Sequence, residues 1–323
     1  MSRRTRGTRM RISFDVLTDV LRASDNVGIL THRRPDGDTL GCAAALCRGL
    51  RQLGKTTWLL PNPELTARYV AMTEGLWAPE SFQPSFVCAV DVADRQLLCD
   101  NAPARIDLAI DHHPSFTDFG EKGYADASMA ACGEIIYELL LALGVQIDVS
   151  MAEAIYTAVS TDTGCFCYNN TTSHTHRVGA ACMDLGADWH EINYRCFRLK
   201  TRARVAMEGH LYSTMTACRG GEGAMAVITR EDIARVGAAE DDLENLSSLL
   251  TQIEGVRIAA LLTETPERDG FKVSMRSYAY DVSKVCAVFG GGGHAGAAGC
   301  TIKNMDRRQA AAAVAEAMER AHA

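Results

Sequence analysis

Apolar runs and helical stripes alternate along the first half of the chain. "NVGIL" (26–30) is a short apolar run, and "KTTWLLP" (55–61) is a strand-like run stopped by proline. "SFVCAV" (85–90) and "RIDLAI" (105–110) read as buried strands, and both run straight into acidic residues. Between them "TLGCAAALCRGLRQLG" (39–54) repeats its apolar positions at helical spacing and ends at Gly54, a suitable residue just past a helix end. "ASMAACGEIIYELLLALG" (127–144) and "SMAEAIYTAVS" (150–160) predict two further helices. Short continuous apolar strands separated by helices predict an α/β fold, with a mostly parallel sheet carrying helices on both faces.

The pattern then changes. From about Asp188 to Thr216 it is helical and rich in arginine, without clear strands, which predicts a connecting helix or pair of helices. "GAMAVITREDIARVG" restarts a strand followed by a helix. "GVRIAALLTET" and "FKVSMRSY" are strands joined at "PERDG", a hairpin turn. A helix-like "DVSKVCAVF", a glycine run and a final helix over 306–321 close the chain. With 323 residues the chain exceeds what one core usually serves. The expected organisation is a first α/β domain over 10–195, a helical linker over 196–220, and a smaller α/β domain over 221–323.

Composition narrows the class. Hydrophobic residues make up 47% and charged residues 23%, ordinary values for a globular protein, and no apolar stretch is long enough to span a bilayer. The basic start "MSRRTRGTRMR" reads as unstructured and is followed by no apolar leader segment, so a cytoplasmic location without membrane partners is expected. Twelve cysteines are scattered through apolar runs without a CxxC pair, which suits buried free thiols better than a disulfide framework. "CFC" at 165–167 lacks the second cysteine pair that a zinc site would need. The net charge of −7 argues against a broad surface that tracks the phosphates of a long nucleic acid.

The candidate chemistry is concentrated in four stretches. "THRRPDGD" (31–38) crowds His32, Asp36 and Asp38 where a buried strand ends. Asp91 follows "SFVCAV", the triplet Asp111-His112-His113 follows "RIDLAI", and Asp162 lies in "TDTG" after a helix. Ligands of open parallel sheets collect at the carboxyl edge of the strands, so all four can converge. Each has a plain structural alternative: Asp38 suits a helix N-cap, and Asp162 could order a turn. Four independent clusters of hard oxygen and imidazole donors are poorly explained by capping alone. Such a shell favours Mn²⁺ or Mg²⁺ over thiolate zinc.

With the C-terminal "FGGGGHAGAAG" (289–299), these stretches resemble the motifs of the DHH phosphoesterase superfamily with a DHHA1 domain, in order and spacing over nearly the whole chain. The arrangement is most similar to the stand-alone NrnA-type enzymes. The resemblance implies two metal ions, Mn²⁺ with Mg²⁺ or Co²⁺ as substitutes. His32, Asp36 and Asp91 would hold one. Asp38, Asp91, His112 and Asp162 would hold the second, with Asp91 as the bridge. His113 would face the scissile phosphate as a donor, and Asp111 would stand behind, orienting a ligand histidine. On the substrate side the resemblance implies Arg276, Gly291, Gly292, Gly293 and His294 as phosphate contacts, in a cleft between the two domains. Arg95 is a weaker candidate, because "DRQLLCD" departs from relatives at Cys99 and Asp100.

The implied substrates are very short oligoribonucleotides and 3′-phosphoadenosine 5′-phosphate (pAp), without long nucleic acid, and a homodimer stays open. The alternative within the superfamily is a phosphodiesterase of cyclic dinucleotides or their linear products. A manganese pyrophosphatase shares the first four motifs but not the glycine run, and a catalytically silent nucleotide-binding protein would have lost a ligand that this chain retains.

Overall fold

The computed structural model describes residues 10–321; most of the basic start of the chain lies outside the described residues. The chain divides into two compact units, 1–199 and 200–323.

The first unit is built on a six-stranded sheet of β1 (Met10–Arg11), β2 (Val27–Leu30), β3 (Thr57–Leu59), β4 (Phe86–Val90), β5 (Leu108–Asp111) and β6 (Lys122–Ala125), in the order β1-β6-β5-β4-β2-β3. All neighbouring strands are parallel, as the apolar runs predict. Its helices are α1 (Phe14–Ala23), α2 (Gly37–Gln52), α3 (Val70–Thr73), α4 (Cys132–Leu143), α5 (Val149–Asp162), α6 (Ser173–Asp184) and α7 (Trp189–Asn193). Leu17 and Leu21 of α1, Leu46 of α2, Ile135 of α4 and Ile155 of α5 join one core with Ile29, Val90 and Ile110 of the strands.

The opposite face departs from the expected second helical layer. There Leu30, Val87, Ala89 and Ala109 are covered by Val92, Leu98, Ile106, Phe116 and Phe119. These come from the segments after β4 and β5, whose only regular structure is a 3₁₀ turn at Arg95–Leu97. A parallel sheet must be dry on both faces. Here compact loops carrying buried Leu, Ile and Phe achieve it.

The helix layer is tightened by glycines. A Cβ on Gly41 of α2 would lie 2.3 Å from the Ala154 carbonyl oxygen of α5, and one on Gly133 of α4 would lie 2.6 Å from the Ala158 Cβ. The α2 N-cap is Asp36, whose carboxylate accepts from the amides of Asp38 and Thr39, so Asp38 is freed from the capping role that its sequence context suggests.

The second unit holds a mixed sheet of β7 (Thr216–Cys218), β8 (Gly223–Ile228), β9 (Ile258–Glu264), β10 (Gly270–Ser277), β11 (Gly292–His294) and β12 (Ala297–Lys303), in the order β11-β12-β10-β9-β8-β7. Only β8 and β9 pair in parallel. Its helices are α8 (Arg202–Thr214), α9 (Arg230–Val236), α10 (Leu246–Leu250), α11 (Val282–Ala287) and α12 (Arg307–Glu319). α8 lies within the stretch expected to be a linker, yet it buries Met207 and Leu211 against Ala224, Ile228, Leu246 and Leu250 and so belongs to this unit's core. α11 and α12 cover the other face.

The glycine packing yields a stability prediction. Gly41→Ala gains about 1 kcal/mol of helix propensity. It also drives a methyl group into backbone that cannot move alone, at about 1–3 kcal/mol or more. Denaturant unfolding should show a net loss of stability; an unchanged or raised midpoint would contradict the close α2–α5 approach.

Candidate metal centre

Four elements deliver the predicted residues to the carboxyl edge of the first sheet. The loop after β2 brings His32 and Asp36, and the first turn of α2 brings Asp38; Asp91 directly follows β4; Asp111 ends β5, with His112 and His113 after it; the last turn of α5 brings Asp162. Three sets of donor atoms lie within 4.8 Å of one another: His32, Asp36 and Asp91; Asp38, His112 and Asp162; and Asp91 with Asp111, His112 and His113.

Asp91 lies at the junction. Its Oδ2 is 3.7 Å from His32 Nε2, and its Oδ1 is 3.6 Å from His112 Nε2. His32 Nε2 is 3.5 Å from Asp36 Oδ1, while His112 Nε2 is 3.5 Å from Asp162 Oδ2 and 3.8 Å from Asp38 Oδ2. These spacings exceed a direct hydrogen bond and leave room between the donors. Asp91 is a non-glycine residue with φ +55°, a left-handed conformation at the strand end, while its amide still donates to Ile110 at 2.8 Å. Backbone strain at such a position is commonly tied to a functional side-chain direction.

The histidines are held in one tautomer. His32 Nδ1 donates to the Arg33 carbonyl at 2.7 Å, and His112 Nδ1 donates to the Met129 carbonyl at 3.2 Å. Each Nε2 is thereby the atom turned toward the carboxylates, the usual orientation of a metal-ligating imidazole; burial lowers the His32 pKa, but Asp36 and then Asp91 raise it to about 9. Asp38 is fixed from behind: the Cys132 and Gly133 amides, at the start of α4, donate to Oδ2 at 2.7 Å and Oδ1 at 2.9 Å. The Cys42 thiol donates to the same Oδ1 at 3.2 Å.

Electrostatics favour a cation. Burial, and then the charges of Asp162 and Asp36, push the Asp38 carboxyl well above its ordinary range. Burial, and then Asp38 and Asp36, do the same to Asp91. Burial also raises Asp162. Asp91 Oδ1, Asp111 Oδ2 and His112 Nε2 are buried without a hydrogen-bond partner. Orphaned oxygens and an imidazole lone pair in one pocket match the donor set of a hard or borderline divalent ion.

Asp111 behaves differently from the expectation that it orients a ligand histidine ring. Its Oδ1 accepts from His113 Nδ1 at 2.8 Å and from the His112 amide at 2.8 Å, whereas the His112 ring is set by Met129. The hydrogen bond that His113 donates to Asp111 raises the His113 pKa to about 9, against the effect of burial. Arg95 donates to the Pro103 carbonyl at 3.1 Å. Asp100 pairs with Arg33, and Cys99 donates to Asn62, so these two residues brace the outer side of the His32 loop.

The second unit gathers its own candidates. His294, Ala297 and Arg276 occupy one cross-strand row on β11, β12 and β10, so His294 and Arg276 share a face. Strand spacing sets their backbones about 10 Å apart. The glycine run, expected as a phosphate-contacting loop, is part of a β-hairpin. Gly291 and Gly293 are needed for contact with β12, since their Cβ atoms would lie 2.3 Å from the Gly299 carbonyl oxygen and 2.6 Å from that of Ala297. Gly292 pairs with Gly299 in the hairpin, but it is exposed and a Cβ there would meet open space.

Sequence reasoning missed the supporting groups. The Met129 carbonyl and the α4 amides have no side-chain signature. Asn170 donates to the carbonyls of Ala130 (3.0 Å) and Asp162 (3.2 Å) and ties two site segments together; only its position after "TDTG" could have suggested it.

Comparison with known proteins agrees with this geometry. Residues 26–159 match the DHH family N-terminal domain, and 224–321 match the DHHA1 domain. The bifunctional oligoribonuclease and PAP phosphatase NrnA of Thermus thermophilus is 30% identical over 94% of this chain and 92% of its own. The NrnA of Bacillus subtilis is 25% identical over 87% of this chain and 91% of its own. An exopolyphosphatase-related protein from Bacteroides fragilis shares the fold with a TM-score of 0.86 at 22% identity, covering 95% of both chains. Motifs, fold and full-length similarity agree that this chain belongs to the DHH phosphoesterase family, with a C-terminal DHHA1 domain.

Proposed function

We propose that this protein is a two-metal phosphoesterase that hydrolyses very short oligoribonucleotides to 5′-mononucleotides and pAp to AMP. The observation that carries this reading is that donor sets containing His32 and His112 meet at Asp91, each ring engaged at Nδ1 and presenting Nε2 to the carboxylates. The relatives that align over nearly the full chain are named for both activities.

In this reading His32, Asp36 and Asp91 hold one ion, and Asp38, Asp91, His112 and Asp162 hold the other. Two such ions, Mn²⁺ in this proposal, would supply a water of lowered pKa and stabilise attacking and leaving oxygens. The chain's own groups do the rest. Asp111 keeps the His113 ring oriented, so that its Nε2–H can donate to a phosphate oxygen or to the leaving group. Asp38 is aimed by the α4 amides and the Cys42 thiol, whose hydrogen bonds partly oppose the upward push of burial on its carboxyl. Arg276, with its forked donors, and His294 grip a substrate phosphate beside the Gly292 backbone. Arg95 stays the weaker candidate for a phosphate contact, with one guanidinium nitrogen donating to the Pro103 carbonyl.

Metal dependence gives the first test. A chelator should abolish activity, and Mn²⁺ should restore it better than Zn²⁺. Asp91→Asn keeps a residue that tolerates the left-handed backbone, so the fold should persist. Bound metal should fall, with turnover lower by at least about a thousandfold, roughly 4 kcal/mol. Near-normal turnover in folded Asp91→Asn protein would overturn the shared-ligand arrangement.

Substrate length gives the second. A chain with a net charge of −7 lacks a basic track, and each phosphate contacted along a strand adds affinity and salt sensitivity. Discrete contacts suit one or two phosphates. kcat/KM on RNAs of two to five nucleotides should exceed that on a 24-mer by at least about tenfold, about 1.4 kcal/mol. Equal efficiency at physiological salt would redirect the assignment to a processive exonuclease.

A further inference from the structure

The segment after Asp162, "TGCFCYNN", has a geometry that metal binding does not require. Gly164, Cys165 and Phe166 are three consecutive residues in the left-handed region, with φ of +56°, +57° and +62°. Such a run is unfavourable for side-chain-bearing residues and persists only where its surroundings enforce it. The enforcement is visible. The Thr163 hydroxyl accepts from the Phe166 amide at 3.1 Å, and the Thr163 carbonyl accepts from the amides of Cys167 at 2.9 Å and Tyr168 at 3.0 Å. Asn170 then clamps the end of the loop back onto the Asp162 carbonyl.

The two aromatic residues of this loop have opposite fates. Phe166 is an anchor: its ring stacks on His176 at 5.2 Å and packs against Tyr156 at 5.8 Å. Tyr168 is displayed, with 60% of its surface exposed. The tip of its ring lies over Gly164, where a Cβ would meet Cε1 and Cζ at 2.4 Å, so only glycine lets the ring settle there. Gly164 is two residues from Asp162, whose carboxylate lies 3.5 Å from His112 Nε2. An exposed aromatic ring is thus carried by a strained turn that directly follows Asp162 in the chain.

We propose that Tyr168 is a stacking platform for an unpaired nucleobase of the substrate whose phosphate occupies the metal centre. This rests on the phosphoesterase reading above and adds the group that recognises the base. Stacking on an aromatic face is tolerant of base identity and needs no hydrogen-bonding code, which suits a site acting on short fragments of any sequence. It also requires an unstacked base, which a dinucleotide offers more readily than a helix.

The experiment compares wild type with Tyr168→Ala, Tyr168→Phe and Tyr168→Trp on an adenine dinucleotide and on its abasic counterpart. Tyr168→Ala should raise KM for the dinucleotide about tenfold, with kcat much less affected. The wild-type preference for the dinucleotide over the abasic compound should fall by the same factor. Phe and Trp should retain the preference, since the ring and not the hydroxyl is required. Binding is read separately from turnover by the quenching of a 2-aminopurine dinucleotide, expected in wild type and lost in Tyr168→Ala. Quenching without cleavage would contradict the catalytic reading while sustaining the platform. Equal losses on both compounds, no change in Tyr168→Ala, or a loss in Tyr168→Phe as large as in Tyr168→Ala would overturn it.

Discussion

Asp38, Asp91 and Asp111 are 1%, 3% and 0% exposed, and they meet Asp36 and Asp162 at one end of a parallel sheet. Carboxylates cannot share a dry pocket without compensation: at about 4 Å two like charges repel by roughly 4 kcal/mol even at an effective dielectric of 20. Backbone amides, one thiol and locked imidazoles answer part of this charge. They leave oxygens of Asp91 and Asp111 without partners. Such carboxylates could be answered by a metal ion, and the surrounding fold keeps them in register.

The means are largely backbone devices. Asp91 reaches the centre because β4 ends in a left-handed residue still tied to β5. Asp36 caps α2 while one of its oxygens remains 3.5 Å from His32. Gly37 and Gly41 let α2 approach α5 closely enough for the Asp38 and Asp162 carboxylates to meet the same imidazole. The Thr39 hydroxyl, donating to the Val90 carbonyl at 2.9 Å, stitches α2 to the strand that carries Asp91. A change at any of these points shifts one ligand relative to the others, though none is itself a ligand.

Much of this was legible in the sequence. Strands buried on both faces are written as unbroken apolar runs, so β2, β4 and β5 stand out, and each carries its acidic or histidine residues immediately after it. β1 ("MR"), at the sheet edge, and β6 ("KGYA"), next to it, are short segments without an apolar run, and neither was anticipated. The loops on the second sheet face bury Phe116 and Phe119 without any periodicity to announce them. At the site, the side-chain donors were readable as residue types, but their support was not. The Met129 carbonyl and the Cys132 and Gly133 amides act through main-chain atoms, and Asp111 turned out to serve His113 and not the His112 ring. The glycine run misled in a physical way. Close approach to the chain's own β12 demands Gly291 and Gly293 as strongly as a ligand would.

The central claim is that Asp91 is shared between two cation sites. Anomalous scattering from crystals of the intact chain grown with Mn²⁺ tests it directly. The account predicts two peaks roughly 3.5–4 Å apart, one among His32, Asp36 and Asp91 and the other among Asp38, Asp91, His112 and Asp162. A single peak, or one seated on Asp111 and His113, would contradict it.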